Sequence, residues 1–135
     1  MTVRQDRMLI RVSDLMRTEA LPLARSDAAM SEVLVTLSQG TLGCAVVVDG
    51  SGAVAGIITH GDVGRHIGPD FLARKAHEVM TPEPKWARPD QLAAEALGLM
   101  NESKITQLLV LDPADAGRKP LGILHIHDCL RAGLQ

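Results

Sequence analysis

The chain predicts an α/β (α+β) fold of two β-α-β-β-α repeats, related by a pseudo-twofold and packed sheet to sheet. Three observations predict it. The sequence repeats itself, one amphipathic helix pattern recurs in each half, and short apolar runs follow each helix and are closed by Asp. The repeat shows in three blocks in the same order. Val12-Ser13-Asp14-Leu15-Met16-Arg17-Thr18 is echoed by Ala76-His77-Glu78-Val79-Met80-Thr81-Pro82, Gly43 to Asp49 by Thr106 to Asp112, and Gly56-Ile57-Ile58-Thr59-His60-Gly61-Asp62 by Gly122-Ile123-Leu124-His125-Ile126-His127-Asp128.

Within the first repeat, Asp14 to Met16 reads as a short helical turn. Leu21 to Ala24 reads as a brief extended stretch that Pro22 keeps off a ladder centre. Asp27 is the candidate N-cap of a helix from Ala28 to Ser38, whose Met30, Val33, Leu34 and Leu37 fall at i, i+3, i+4 and i+7. Gly40 ends it. Cys44 to Val48 is apolar throughout and rich in β-branched residues, the pattern of a strand covered on both faces. Asp49-Gly50-Ser51-Gly52 is turn chemistry, and Val54 to Thr59 is the hairpin partner. The second repeat places a helix at Leu92 to Met100, strands at Leu108 to Leu111 and Leu121 to His125, and a closing helix at Asp128 to Ala132. The organisation is an N-terminal extension (1–11), a first repeat (12–67), a linker marked by Gly68-Pro69-Asp70 (68–75) and a second repeat (76–135).

Composition narrows the function. Hydrophobic residues make up 46% and charged residues 22% of the chain, an ordinary globular balance that excludes disorder. No apolar run reaches the ~18 residues of a spanning helix, and Met1 to Arg11 has no signal-peptide core, so a cytoplasmic protein is expected. A net charge of -2 with Trp86 and Phe71 as the aromatic residues argues against a nucleic-acid binder. Cys44 and Cys129 are too few for a disulfide framework or a four-ligand zinc site and read as free thiols. His125-x-His127 places two imidazoles on one strand face, but no third ligand stands at a supporting spacing, so no metal is expected. A unit of about 60 residues is marginal alone, and the apolar excess of the two main helices predicts a homodimer.

The doubled unit, with Gly56, Thr59 and Asp62 at the end of its second full strand, resembles a tandem pair of CBS domains, a regulatory nucleotide-sensing module. That family's ligand motif is Gly-h-x-Thr/Ser-x-x-Asp, and the likeness runs from Val12 to Leu134. Ala94-Glu95-Ala96-Leu97-Gly98-Leu99-Met100, Lys104-Ile105-Thr106 and the ending His125-x-His127-Asp128-x-Leu130-Arg131-Ala132-Gly133 are similar to the C-terminal CBS region of the arabinose 5-phosphate isomerases, which serve lipopolysaccharide synthesis. His60 and Gly64 depart from the acidic and basic residues usual in that family and alter the charge around the first site. Catalysis in that family belongs to an isomerase domain that nothing in these residues resembles. The chain is therefore expected to be regulatory rather than an enzyme, either an excised half or a free-standing paralogue, and to act on an attached or partner sugar-isomerase domain.

The residues support a binding site on their own chemistry. Thr59 ends a strand and Gly61-Asp62 opens a helix, which offers N–H groups to an anion, a hydroxyl, and a carboxylate that accepts both hydroxyls of a ribose. Gly61 admits close backbone approach, and Arg65, one turn on, reaches a phosphate. The competing reading is that Thr59 and Asp62 only cap the helix. The resemblance implies that Gly43, Cys44 and Ala45 receive the base edge through backbone groups. It also implies that Lys104 and His127, from the other half, reach a phosphate across the cleft, and that His125, standing where Thr is usual, makes the second site the weaker. The implied ligand is an adenine nucleotide or a CMP-activated sugar. The alternative function is a structural dimerisation module with no physiological ligand.

Overall fold

The structure, a computed structural model, describes residues 7–40 and 42–135; of the N-terminal extension, residues 1–6 lie outside that range. In chain order the elements are α1 (Val12–Leu15), β1 (Leu23–Arg25), α2 (Met30–Gln39), β2 (Cys44–Val48), β3 (Val54–Thr59), α3 (His60–His66), a 3-10 turn (Phe71–Ala73), α4 (Ala76–Val79), β4 (Thr81–Pro82), β5 (Trp86–Ala87), α5 (Ala93–Ser103), β6 (Gln107–Val110), β7 (Gly122–His125) and α6 (Ile126–Arg131). The fold is mixed α/β with two small sheets, as the alternation of patterns predicts.

The first compact unit comprises Ala20–Pro84 with Gly117–Lys119. Its sheet runs β1-β2-β3-β4, with β1 parallel to β2 and the other pairs antiparallel. Met30, Val33 and Leu37 form the buried stripe of α2 and pack with Ala45, Val47, Ile58, Phe71, Ala76 and Val79. β2 is buried on both faces. Asp27 does not cap α2: the helix starts two residues later than expected, with Ala29 as its N-cap and no capping side chain. Tertiary pairing sets the start instead, because Ala29 bridges Lys75 and the Met30 N–H donates to the Arg74 carbonyl at 2.8 Å. A first-turn donor already satisfied by backbone needs no carboxylate, and Asp27 pairs with Arg25 at 3.3 Å. Phe71, in the segment read as a linker, is a buried member of this core.

The second unit comprises Lys85–Ala116, Pro120–Gln135 and the described residues up to Glu19. Its sheet is β5-β6-β7, and its core joins Val12 to Ala96, Leu97, Met100, Leu108, Leu124 and Cys129. α5 and β6 begin near their expected starts, whereas α6 starts at Ile126, earlier than the expected Asp128, because His125 caps it.

The compact units are cut differently from the sequence repeats. Segment 12–19, which opens the first repeat, packs in the second unit: the Val12 and Ser13 N–H groups donate to Gln91 and Pro89, and Arg17 exchanges two backbone hydrogen bonds with Ile123 (2.9 and 3.0 Å). Segment 76–84, which opens the second repeat, packs in the first unit, with Thr81 paired to Ile57. Two glycines make room for these segments. A Cβ on Gly56 would lie 2.6 Å from Met80 Sδ and 2.7 Å from the Thr81 carbonyl, and one on Gly122 would lie 2.6 Å from the Arg17 carbonyl.

Candidate functional site

In the first unit the expected residues converge where β3 passes into α3. Thr59 is the N-cap, and its backbone N–H and hydroxyl both donate to Asp62 Oδ2, at 2.9 and 3.1 Å. Asp62 Oδ1 accepts from the Thr81 hydroxyl at 2.8 Å and from Arg65 Nη2 at 2.5 Å. Asp62 is 3% exposed, whereas the Arg65 side chain is 65% exposed, so a buried carboxylate is approached by a guanidinium that reaches into solvent. Burial alone would raise the Asp62 pKa. The hydrogen bonds from Thr59, Thr81 and Arg65 outweigh it, and the net effect holds the carboxyl below its ordinary value. Cys44 pairs directly with Thr59, bringing the start of β2 beside the motif, and Gly43 adopts a left-handed φ of 72° that favours glycine there. Cys44 and Ala45 are buried. A Cβ on Gly61 would meet only Arg65 Nη1 at 3.4 Å and Thr59 Oγ1 at 3.6 Å, so packing within the chain does not demand glycine at that position.

The second unit carries the counterpart with different chemistry. Asp128 Oδ2 accepts from Arg17 Nε at 3.0 Å, and Oδ1 accepts from Arg17 Nη2 at 3.0 Å and from Arg131. Arg17 is the principal cause that holds this carboxyl below its ordinary pKa; burial opposes it, and Arg131 adds to it. His125 caps α6, its Nδ1 accepting from the His127 N–H at 3.1 Å, which requires the neutral Nε2–H tautomer. Burial, and then the neighbouring His127, lower the His125 pKa. His127 is exposed, and its ring lies 4.6 Å from that of His125. Lys104 is exposed and left-handed (φ 57°) at the C-cap of α5. Among the described residues, no group of three or more His, Cys, Asp or Glu side chains could hold a metal ion.

A family model described as "CBS domain" matches residues 12–68 and again 76–135. The chain belongs to the CBS-domain family. Among curated relatives, the CBS pair is 40% identical over 131 residues to arabinose 5-phosphate isomerase KdsD of Salmonella typhi and 37% identical to that of Escherichia coli K12. The match covers 95% of this chain but 39% of each relative, so the chain spans about two-fifths of their length. Among solved structures, the CBS domain of a membrane protein from Sphaerobacter thermophilus superposes with a TM-score of 0.80 at 22% identity, over 98% of this chain and 93% of that one. The CBS domain pair of protein MJ0100, in complex with 5′-methylthioadenosine and S-adenosyl-L-methionine, gives 0.78 at 23% identity, over 91% and 94%. CBSX2 in complex with AMP gives 0.76 at 21% identity, over 91% and 95%.

Of the expected site residues, Gly43, Cys44, Ala45, Thr59, Gly61, Asp62 and Arg65 thus lie in the first unit of the CBS pair, and Lys104 and His127 in the second. Three residues that touch the motif carboxylates, Thr81, Arg17 and Arg131, were not among those expected. The signal that locates them is the repeat itself, since Thr81 and Arg17 both follow Met in the duplicated block that opens each repeat, and Arg131 stands three residues after Asp128 as Arg65 stands after Asp62.

Proposed function

We infer that this CBS pair is a regulatory module that binds an adenine nucleotide in its first unit and modulates a sugar-phosphate isomerase domain on the same or a partner chain in the cytoplasm. The observation that carries the reading is Asp62, a buried carboxylate in the family's motif position beside the start of β2. A ribose diol donating to Asp62 takes over the position that Arg65 holds on Oδ1. The exposed guanidinium is then released to meet the phosphate. The Cys44–Ala45 backbone supplies hydrogen-bonding groups to the base edge. CBS pairs of the same fold have been captured with adenosine-based ligands, and the likeness to the CBS region of KdsD supports an isomerase domain as the partner.

One observation favours the alternative, a structural module without a ligand: Asp62 Oδ2 accepts from both the N–H and the hydroxyl of Thr59, the reciprocal pattern of a helix capping box. Titration calorimetry of the chain with AMP, ATP, CMP and a CMP-sugar decides between them. An adenine nucleotide binding with saturable heat, weakened ten- to a hundredfold in Asp62→Ala for ~1.5–3 kcal/mol of charge-assisted hydrogen bonds, supports the regulatory reading. Heat with none of the four supports the structural one, and tighter binding of the CMP-sugar moves the specificity to the other ligand class.

A further inference from the structure

We propose that Arg17 is an internal occupant of the second unit's site: its guanidinium takes the two hydrogen-bonding positions on Asp128 that a ribose diol would use, so that the chain binds one nucleotide, on Asp62. This rests on the nucleotide-binding reading of the Asp62 site.

The two units align residue for residue. Thr81 pairs with Ile57, and Arg17 with Ile123; these strands then lead through Thr59 or His125 to Asp62 or Asp128, and one turn later to Arg65 or Arg131. In both units the residue paired at that strand position reaches the motif carboxylate. What it delivers differs. Thr81 gives a single hydroxyl hydrogen bond to one oxygen, and a hydroxyl rotates and can accept as well as donate. Arg17 gives two N–H donors at 3.0 Å, one to each carboxylate oxygen. A vicinal diol on a carboxylate makes the same two-point pattern.

Three features set Arg17 apart as a competitor for that position. Its backbone is anchored by reciprocal hydrogen bonds to Ile123, so the guanidinium is delivered from a fixed base. The fork is pre-organised and always charged, so a neutral diol that replaces it exchanges a two-point ion pair for hydrogen bonds in which the carboxylate carries the only charge. Among the described residues, the one charged donor to Asp62 is Arg65, on one oxygen. Lastly, the Arg17 side chain is 40% exposed and Asp128 is 14% exposed, so removing the guanidinium opens the carboxylate to the surface rather than leaving a sealed cavity.

The test is titration calorimetry with AMP on four chains: wild type, Arg17→Thr, Arg17→Thr/Asp62→Ala and Thr81→Arg, each first checked for a cooperative melt. One AMP per wild-type chain is expected, with two in Arg17→Thr, one retained in the double variant, and at least a tenfold loss in Thr81→Arg. Arg17→Gln carries the same expectation as Arg17→Thr, keeps the side-chain stem, and serves if Arg17→Thr melts without cooperativity. A gained binding event is not a result that structural damage produces. Two AMP on wild type, or one on both wild type and Arg17→Thr, overturns the proposal while the Asp62 reading stands. No AMP on wild type but one on Arg17→Thr sinks the Asp62 reading, and with it the single nucleotide on Asp62, while supporting Arg17 as the occupant of the second unit's site. No AMP on either overturns both.

Discussion

At the scale of single residues, the titrating groups set how stability follows pH. Asp62 and Asp128 are both held below their ordinary pKa. The stabilisation they provide is therefore complete above the unfolded value of ~3.9 and is lost as the pH falls through the folded values. His125 is also lowered, so the unfolded chain takes up its proton first. The His125 contribution is present above ~6.5 and drains away below it. Thermal melts from pH 3 to 8 should show two declines, one beginning near pH 6.5 and a steeper one below pH 4. His125→Asn, which keeps an N-cap acceptor but does not titrate, should remove the first and leave the second. A decline near pH 6.5 that survives in His125→Asn would assign it to another group. The thiols act at the alkaline end. Burial pushes both Cys44 and Cys129 from 9.0 to about 11, so their contribution is intact below pH 9 and is lost as the pH rises through 11. Alkylation at pH 8 should proceed at the rate of global unfolding; rapid labelling of the native chain would contradict the burial of both.

At the scale of elements, most of the pattern was legible in the sequence, and where it was not, long-range pairing is the reason. The run Cys44–Val48 and the hairpin strand Val54–Thr59 stand at their expected residues because apolar content and turn chemistry are local signals. The start of α2 is decided by Arg74 and Lys75, far along the chain, and no local pattern reports them. The candidate site divides in the same way. Thr59, Asp62 and Arg65 form one helical turn and can be read from spacing, whereas Thr81 and Arg17 reach the carboxylates from separate strands. The glycine of the motif gains a reason only in three dimensions: Gly56 and Gly122 admit the segments that carry those residues. Gly56→Ala and Gly122→Ala should each cost ~1–3 kcal/mol by overpacking against backbone, read as a lower denaturation midpoint at an unchanged slope. A loss of less than ~0.5 kcal/mol at both would show that the segments move aside freely.

At the scale of the whole molecule, the homodimer expected from the sequence can be tested on an exposed apolar surface of the first unit. Ile67 is 70% and Leu72 57% exposed, and both border an apolar hollow of about 570 Å³ with Leu34, Val63 and Phe71. Sedimentation at micromolar concentration should give a dimer, and Ile67→Glu with Leu72→Glu should shift it toward the 14.4 kDa monomer. An unchanged sedimentation coefficient in that double variant would place any interface elsewhere. The cut between the units predicts a further outcome. A chain lacking the residues before Ala20 should lose hydrogen-exchange protection in β7 and α5 while keeping it in β2 and β3, because α1 and Arg17 belong to the second unit alone. The same exchange of opening segments imposes an order on biosynthesis. Thr81 follows Asp62 by only 19 residues, but Arg17 precedes Asp128 by 111. At ~5–20 residues per second of translation, the nascent chain carries the Arg17 segment for about 5–20 seconds before its carboxylate exists. The first sheet, β1-β2-β3-β4, can form once Pro82 is made, whereas the Arg17 segment lacks its partner until Asp128 is made and is available meanwhile to a chaperone or to the unfinished second unit of a neighbouring polypeptide.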